Sequence, residues 1–161
     1  MMTEAWEVAT DADEVHRLLC ASDAAHATRE APAPARHVAT TRRRVEDGAV
    51  HLLRVNGEPA AMFTLTWQPA FDASIDVFPV ARHAAYMSRL AVAPGRDDLA
   101  GARCVRHAVA VARAAGAEVL RCEANPDLPT YSLLRMHGFE PFGPVEEASG
   151  RRRVRLQKPL G

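Results

Sequence analysis

The segment from Ala85 to Glu123 limits what this chain can fold into more than any other. Ala85–Ala93 (AYMSRLAVA) is an apolar run of strand length that stops at Pro94. A short turn follows. Gly101–Ala115 then carries Cys104, Val105, Ala108, Val109 and Ala112 along one stripe, with Arg103, Arg106, His107 and Arg113 on the other side. Gly116 stands where a helix cap is expected, and Val119–Glu123 reads as a second buried strand. Strand, helix and strand in immediate succession demand a parallel crossover, right-handed by the usual rule. On this pattern His107 is a surface residue rather than a ligand.

The flanking segments supply antiparallel partners. Ala49–Val55 and Ala60–Trp67 surround Asn56-Gly57-Glu58-Pro59, and Asn-Gly provides the positive φ angles that a tight hairpin requires. Phe139–Val145 and Arg153–Lys158 form two final strands around Ser149-Gly150, and Trp6–Ala9 a short first one. Thr10 and Asp11 offer helix caps ahead of Val15, Leu18, Leu19 and Ala25 at helical spacing. Ala31–Ala35 is a loop, Val38–Glu46 a polar helix, Pro69–Pro79 a loop, and Leu128–His137 a short helix ended by Gly138. The expected fold is α/β (α+β): a mixed, mostly antiparallel sheet of six to seven strands flanked by about four helices. Neither a repeat nor a linker interrupts residues 1–161, which read as a single domain.

Composition narrows the function classes. Apolar residues at 48% and charged residues at 25% argue against disorder, and a formal net charge of zero argues against a nucleic-acid partner. Arg42–Arg44 and Arg151–Arg153 accordingly read as solvated faces. No apolar run approaches the roughly 20 residues of a membrane span, and the acidic start has no signal-like core, so a cytoplasmic protein without a membrane partner is expected. Cys20, Cys104 and Cys122 lie far apart and read as reduced thiols, mostly small buried hydrophobes; no metal site is expected.

The chemistry concentrates in Leu90-Ala91-Val92-Ala93-Pro94-Gly95-Arg96-Asp97-Asp98-Leu99-Ala100-Gly101-Ala102. A turn of small residues ahead of a helix exposes amides that no intrahelical carbonyl satisfies, and the helix dipole adds positive potential there. Such a turn suits a pyrophosphate.

Strand LAVAP, the turn, the helix, the next strand, Asn125 and finally His137-Gly138-Phe139-Glu140-Pro141 together resemble the GNAT N-acetyltransferase family from about Val50 onward. The resemblance implies acetyl-CoA as co-substrate, with no metal. It implies direct acetyl transfer to a primary amine, borne by a small molecule or a peptide, and a possible homodimer through the terminal strands. By position it gives the backbone of Leu90, Ala91 and Val92 to the pantetheine arm and acetyl carbonyl. It gives Arg96, Asp97, Asp98, Leu99, Ala100, Gly101, Ala102 and Arg103 to the pyrophosphate turn, and Asn125 to pantetheine. Gly138-Phe139 would be structural, and Asn125 is equally readable as a turn residue before Pro126.

The chain departs from that pattern at named positions. Leu99 stands where the loop's first glycine belongs, Asp97 and Asp98 would repel a diphosphate, and Leu134 occupies the position of the family's tyrosine acid. Tyr131, one turn earlier, is then the candidate general acid, with packing as its alternative. Glu123, Ser88 acting through water, and His83 are candidates for the base, with a surface ion pair as the alternative for Glu123. A GNAT-like module that binds without catalysing is the competing reading.

Overall fold

The computed structural model describes residues 2–69, 71, 77–96, 99–148 and 150–161. Its elements follow the expected order: β1 (Glu4–Val8), α1 (Ala12–His26), α2 (Val38–Glu46), β2 (Val50–Val55), β3 (Glu58–Thr66), β4 (Ala84–Val92), α3 (Ala100–Ala114), β5 (Val119–Ala124), α4 (Pro129–Met136), β6 (Glu140–Ala148) and β7 (Arg151–Pro159). The strands form one seven-stranded sheet in the order β1-β2-β3-β4-β5-β7-β6. β4 and β5 run parallel, as a strand–helix–strand unit dictates, while β1–β2, β2–β3, β5–β7 and β6–β7 are antiparallel. This is the anticipated mixed, mostly antiparallel architecture.

Local sequence explains most element ends. Asp11 caps α1 by accepting the Glu14 amide at 3.1 Å, and Asp13 and Glu14 sit against the positive end of its dipole. The β2–β3 turn is tighter than the four residues the sequence offered: only Asn56 and Gly57 lie outside the strands, at φ +53° and +82°. Pro59 therefore enters β3, opposite Arg54, where the register shifts by one residue. β6 and β7 are each longer than expected and extend toward Gly150, at φ +75°.

By contacts the chain divides into two compact units. The first comprises Met1–Thr64 and Arg89–Cys104. Its core sets Val15, Leu18 and Leu19 of α1 against Ala9, Val50, Leu52, Met62 and Ala91, which removes these apolar side chains from water. Arg54 donates to both Glu7 and Glu14, tying β2 to β1 and α1, and the two carboxylates hold its guanidinium protonated.

The second unit comprises Leu65–Ser88 and Val105–Gly161. Here the register of β5 and β7 sorts side chains onto two faces. Leu120, Cys122, Ala124, Val154 and Leu156 make one buried apolar face. The opposite face carries Arg121 beside Gln157 and Glu123 beside Arg155, with Glu146 of β6 paired to Arg153. Gly138, at φ +88°, ends α4, and Phe139 is fully buried behind it.

Candidate functional site

In the first unit, strand β4 runs straight into the turn that precedes α3. Arg89 interrupts the strand in the left-handed region, at φ +53°, a conformation that costs a non-glycine residue free energy. Beyond it Leu90 and Val92 are half-buried and Ala91 is buried. The amide of Val92 donates to Ser22 Oγ at 3.2 Å, and that of Ala93 to the Ala60 carbonyl at 2.8 Å. These two donors are already engaged inside the protein.

Among the described residues of the turn, Gly95 at φ +82° and Leu99 at φ +59° are left-handed. Leu99 thus adopts the backbone conformation for which a glycine would be the natural residue, and its side chain is 72% exposed. α3 starts at once, with the Arg103 amide donating to the Leu99 carbonyl at 3.1 Å. Helix geometry leaves the amides of Ala100, Gly101 and Ala102 without an intrahelical carbonyl. Ala100 and Ala102 are buried, so their methyl groups pack inward. Arg103, expected near the phosphates, pairs with Glu4 of β1 at 2.9 Å. Arg96 is half-buried, while Asp97 and Asp98 lie outside the described residues.

The second unit holds the remaining candidates. The parallel ladder pairs Ala84 with Val119 and Tyr86 with Arg121. Arg121 is buried, donates to the Tyr86 hydroxyl, Gln157 Oε1 and the Pro79 carbonyl, and stacks on Phe78 with 4.6 Å to the ring centre. Ser88 and Glu123 lie two residues further along each strand, so they share the face of Tyr86 and Arg121. Ser88 Oγ is shielded from solvent and has no hydrogen-bond partner among the described residues. Glu123 lies 3.9 Å from Arg155 Nε and 4.0 Å from Arg153 Nε. Glu146 accepts from buried Arg155, which holds the Glu146 carboxyl below the usual carboxylate range. His83 is exposed at the start of β4, and its carbonyl accepts the Glu118 amide.

Asn125 and Tyr131 also fall in this unit. Asn125 Oδ1 accepts the Asp127 amide at 2.9 Å, the turn role foreseen beside the ligand role. Tyr131 is half-buried in the first turn of α4, behind Pro129 at the helix start. Leu134 is 1% exposed and packs in the core, where a tyrosine hydroxyl would require a partner. His107 is half-buried rather than on the surface, and desolvation lowers its pKa.

Sequence reasoning missed three polar residues that the structure joins to Arg89. Its Nη1 donates to Thr41 Oγ1 of α2 at 3.0 Å, and His16 Nδ1 of α1 lies 2.8 Å from the same hydroxyl. Cys20 Sγ follows at 3.6 Å from His16 Nε2. An arginine inside an otherwise apolar strand was the one signal that could have drawn attention there. Among the described residues no cluster of three or more His, Cys, Asp or Glu side chains could hold a metal, and no helix is long and apolar enough to cross a membrane.

No protein-family model matches the sequence, and no curated protein matches it at the level of sequence. Solved structures do match the fold. A protein from Desulfovibrio desulfuricans assigned as an acetyltransferase of the GNAT family superposes with a TM-score of 0.70 at 17% identity, covering 100% of both chains. The ribosomal-protein-S18-alanine N-acetyltransferase of Escherichia coli gives 0.71 at 15% identity, over 100% of this chain and 95% of that one. A Salmonella typhimurium protein solved with its cofactor acetyl-CoA gives 0.66 at 16% identity, over 98% and 94%. The chain has the fold of the GNAT N-acetyltransferases.

Proposed function

We propose that the whole chain acts as one N-acetyltransferase domain, moving an acetyl group from acetyl-CoA to a primary amine. The observation that carries this reading is the run from Leu90 through Leu99 into α3. A strand gives way to a turn in which Gly95 and Leu99 are left-handed, and α3 then opens with three successive amides that have no intrahelical partner. The pyrophosphate of CoA would sit against the amides of Ala100, Gly101 and Ala102, with Arg96 beside the turn. The pantetheine arm would follow Leu90, Ala91 and Val92 as an added strand, using backbone groups other than the engaged Val92 amide. Asn125 would donate its amide NH₂ to the same arm.

Transfer needs one bond made and one broken. The neutral amine nitrogen attacks the thioester carbonyl carbon, so that a C–N bond forms, the C–S bond breaks, and CoA leaves as its thiolate. Glu123 takes the ammonium proton, directly or through a water held by the buried hydroxyl of Ser88. Tyr131 protonates the departing sulfur. Free Cys20, Cys104 and Cys122 fit a reducing cytoplasm.

Leu134, buried where a tyrosine acid would stand in the resembling family, favours a second reading: a module that binds the nucleotide without turning it over. Two assays separate the readings. A rise in melting temperature with millimolar acetyl-CoA is expected on both. Release of free thiol with an amine panel is expected only of the enzyme. The absence of both signals would remove the acetyltransferase function.

A further inference from the structure

The Arg89 guanidinium has no ion-pair partner among the described residues. It is half-buried beside α1 and α2, and its side chain makes one hydrogen bond among the described residues, Nη1 to Thr41 Oγ1 at 3.0 Å. No carboxylate of the described residues lies within ion-pair distance of it. Burial lowers its pKa, the charges of Arg36 and Arg44 add to that, and Asp23 and Cys20 oppose it. Asp23 is the carboxylate of the group, and Arg36 engages it through Nε at 2.8 Å and Nη2 at 3.3 Å. Asp23 is thus committed to Arg36 and leaves Arg89 without a carboxylate of its own.

Such an arrangement is costly without an anion and favourable with one. A polar chain lies behind Arg89: Arg89 donates to the Thr41 hydroxyl, His16 Nδ1 is hydrogen-bonded to that hydroxyl, and His16 Nε2 lies against Cys20 Sγ. That chain holds one nitrogen of Arg89, Nη1. Arg89 is followed at once by Leu90, Ala91 and Val92, the strand along which the thioester is placed above.

We propose that Arg89 binds an anionic group on the acceptor, so that the acceptor is an amine that also carries a carboxylate. The inference rests on the acetyltransferase reading. A carboxylate meets the planar fork with two parallel N–H···O bonds and fixes the amine relative to the strand. The same guanidinium would suit a phosphate of CoA, and the experiment separates the two sources.

The test is initial-rate thiol release with acetyl-CoA against free L-amino acids and short peptides, each paired with its carboxamide, for the wild-type protein, Arg89→Gln and Arg89→Lys. At least one acid is expected to exceed its amide in kcat/KM by tenfold or more. Arg89→Gln is expected to raise the KM of that acid about ten- to hundredfold and to bring the acid-to-amide ratio toward one, with Arg89→Lys in between. Equal turnover of acids and amides, or turnover of no acid by a protein that binds acetyl-CoA, overturns the proposal. So does an Arg89→Gln effect confined to the KM of acetyl-CoA, which would place a cofactor phosphate on Arg89. Failure of acetyl-CoA to bind the wild-type protein refutes the underlying acetyltransferase reading instead, independently of Arg89.

Discussion

Replacing Leu99 by glycine should stabilise this protein, although it removes an apolar side chain. Leu99 sits at φ +59° with 72% of its surface in water. The left-handed conformation costs an L-residue with a Cβ about 1–2 kcal/mol, which glycine escapes. Little apolar burial is lost, because little exists. Glycine's extra freedom in the unfolded chain takes back about 0.5–1 kcal/mol. The net gain is about 0.5–1 kcal/mol, a rise in melting temperature of about 1–4 °C for a domain of this size. Leu99→Ala is the control: it removes the same side chain but keeps the Cβ, so it should gain nothing. Differential scanning calorimetry of the three proteins reads the effect, and acetyl-CoA titration checks that Leu99→Gly binds no more weakly than wild type. A Leu99→Gly melting point at or below that of Leu99→Ala would refute the strain argument.

Three further outcomes are expected. Glu123→Gln should lower kcat/KM by about a hundredfold, and an unaltered pH–rate profile would remove Glu123 as the base. Burial pushes the Cys104 thiol up to about 12, and burial with the Glu123 charge raises Cys122 further, so the folded protein should expose one reactive thiol, Cys20, against three after denaturation. A thiol-colour titration of native and denatured protein counts them. Arg155 depresses the Glu146 carboxyl below its ordinary 4.5, so its stabilisation is complete above that value and is lost as pH falls through the depressed one. Melting temperature should therefore fall less steeply as pH drops below 4.5 in Glu146→Gln than in wild type, and parallel slopes would contradict this assignment.

The elements were legible where periodicity and turn chemistry agree. The α3 stripe, the Asn56-Gly57 turn and the Gly138 stop each rest on neighbours in sequence, and each stands where local rules put it. The pairing of β5 with β7 rather than β6 was not readable, since strand order depends on which edges meet once the chain has collapsed.

The candidate site divides along the same line. Sequence alone determined the strand–turn–helix run from Leu90 to Ala102, because small residues, a helix start and an apolar strand are local properties. Leu99 counted against that run as a residue type. The structure shows its backbone in the glycine conformation nonetheless, as the surrounding packing can impose a strained φ that local preference would refuse. Only tertiary structure could bring Thr41 and His16 to Arg89, or align Ser88 with Glu123 on one sheet face. Those meetings join residues from separate helices and strands, and a charge finds its partners, or fails to, only when distant segments pack.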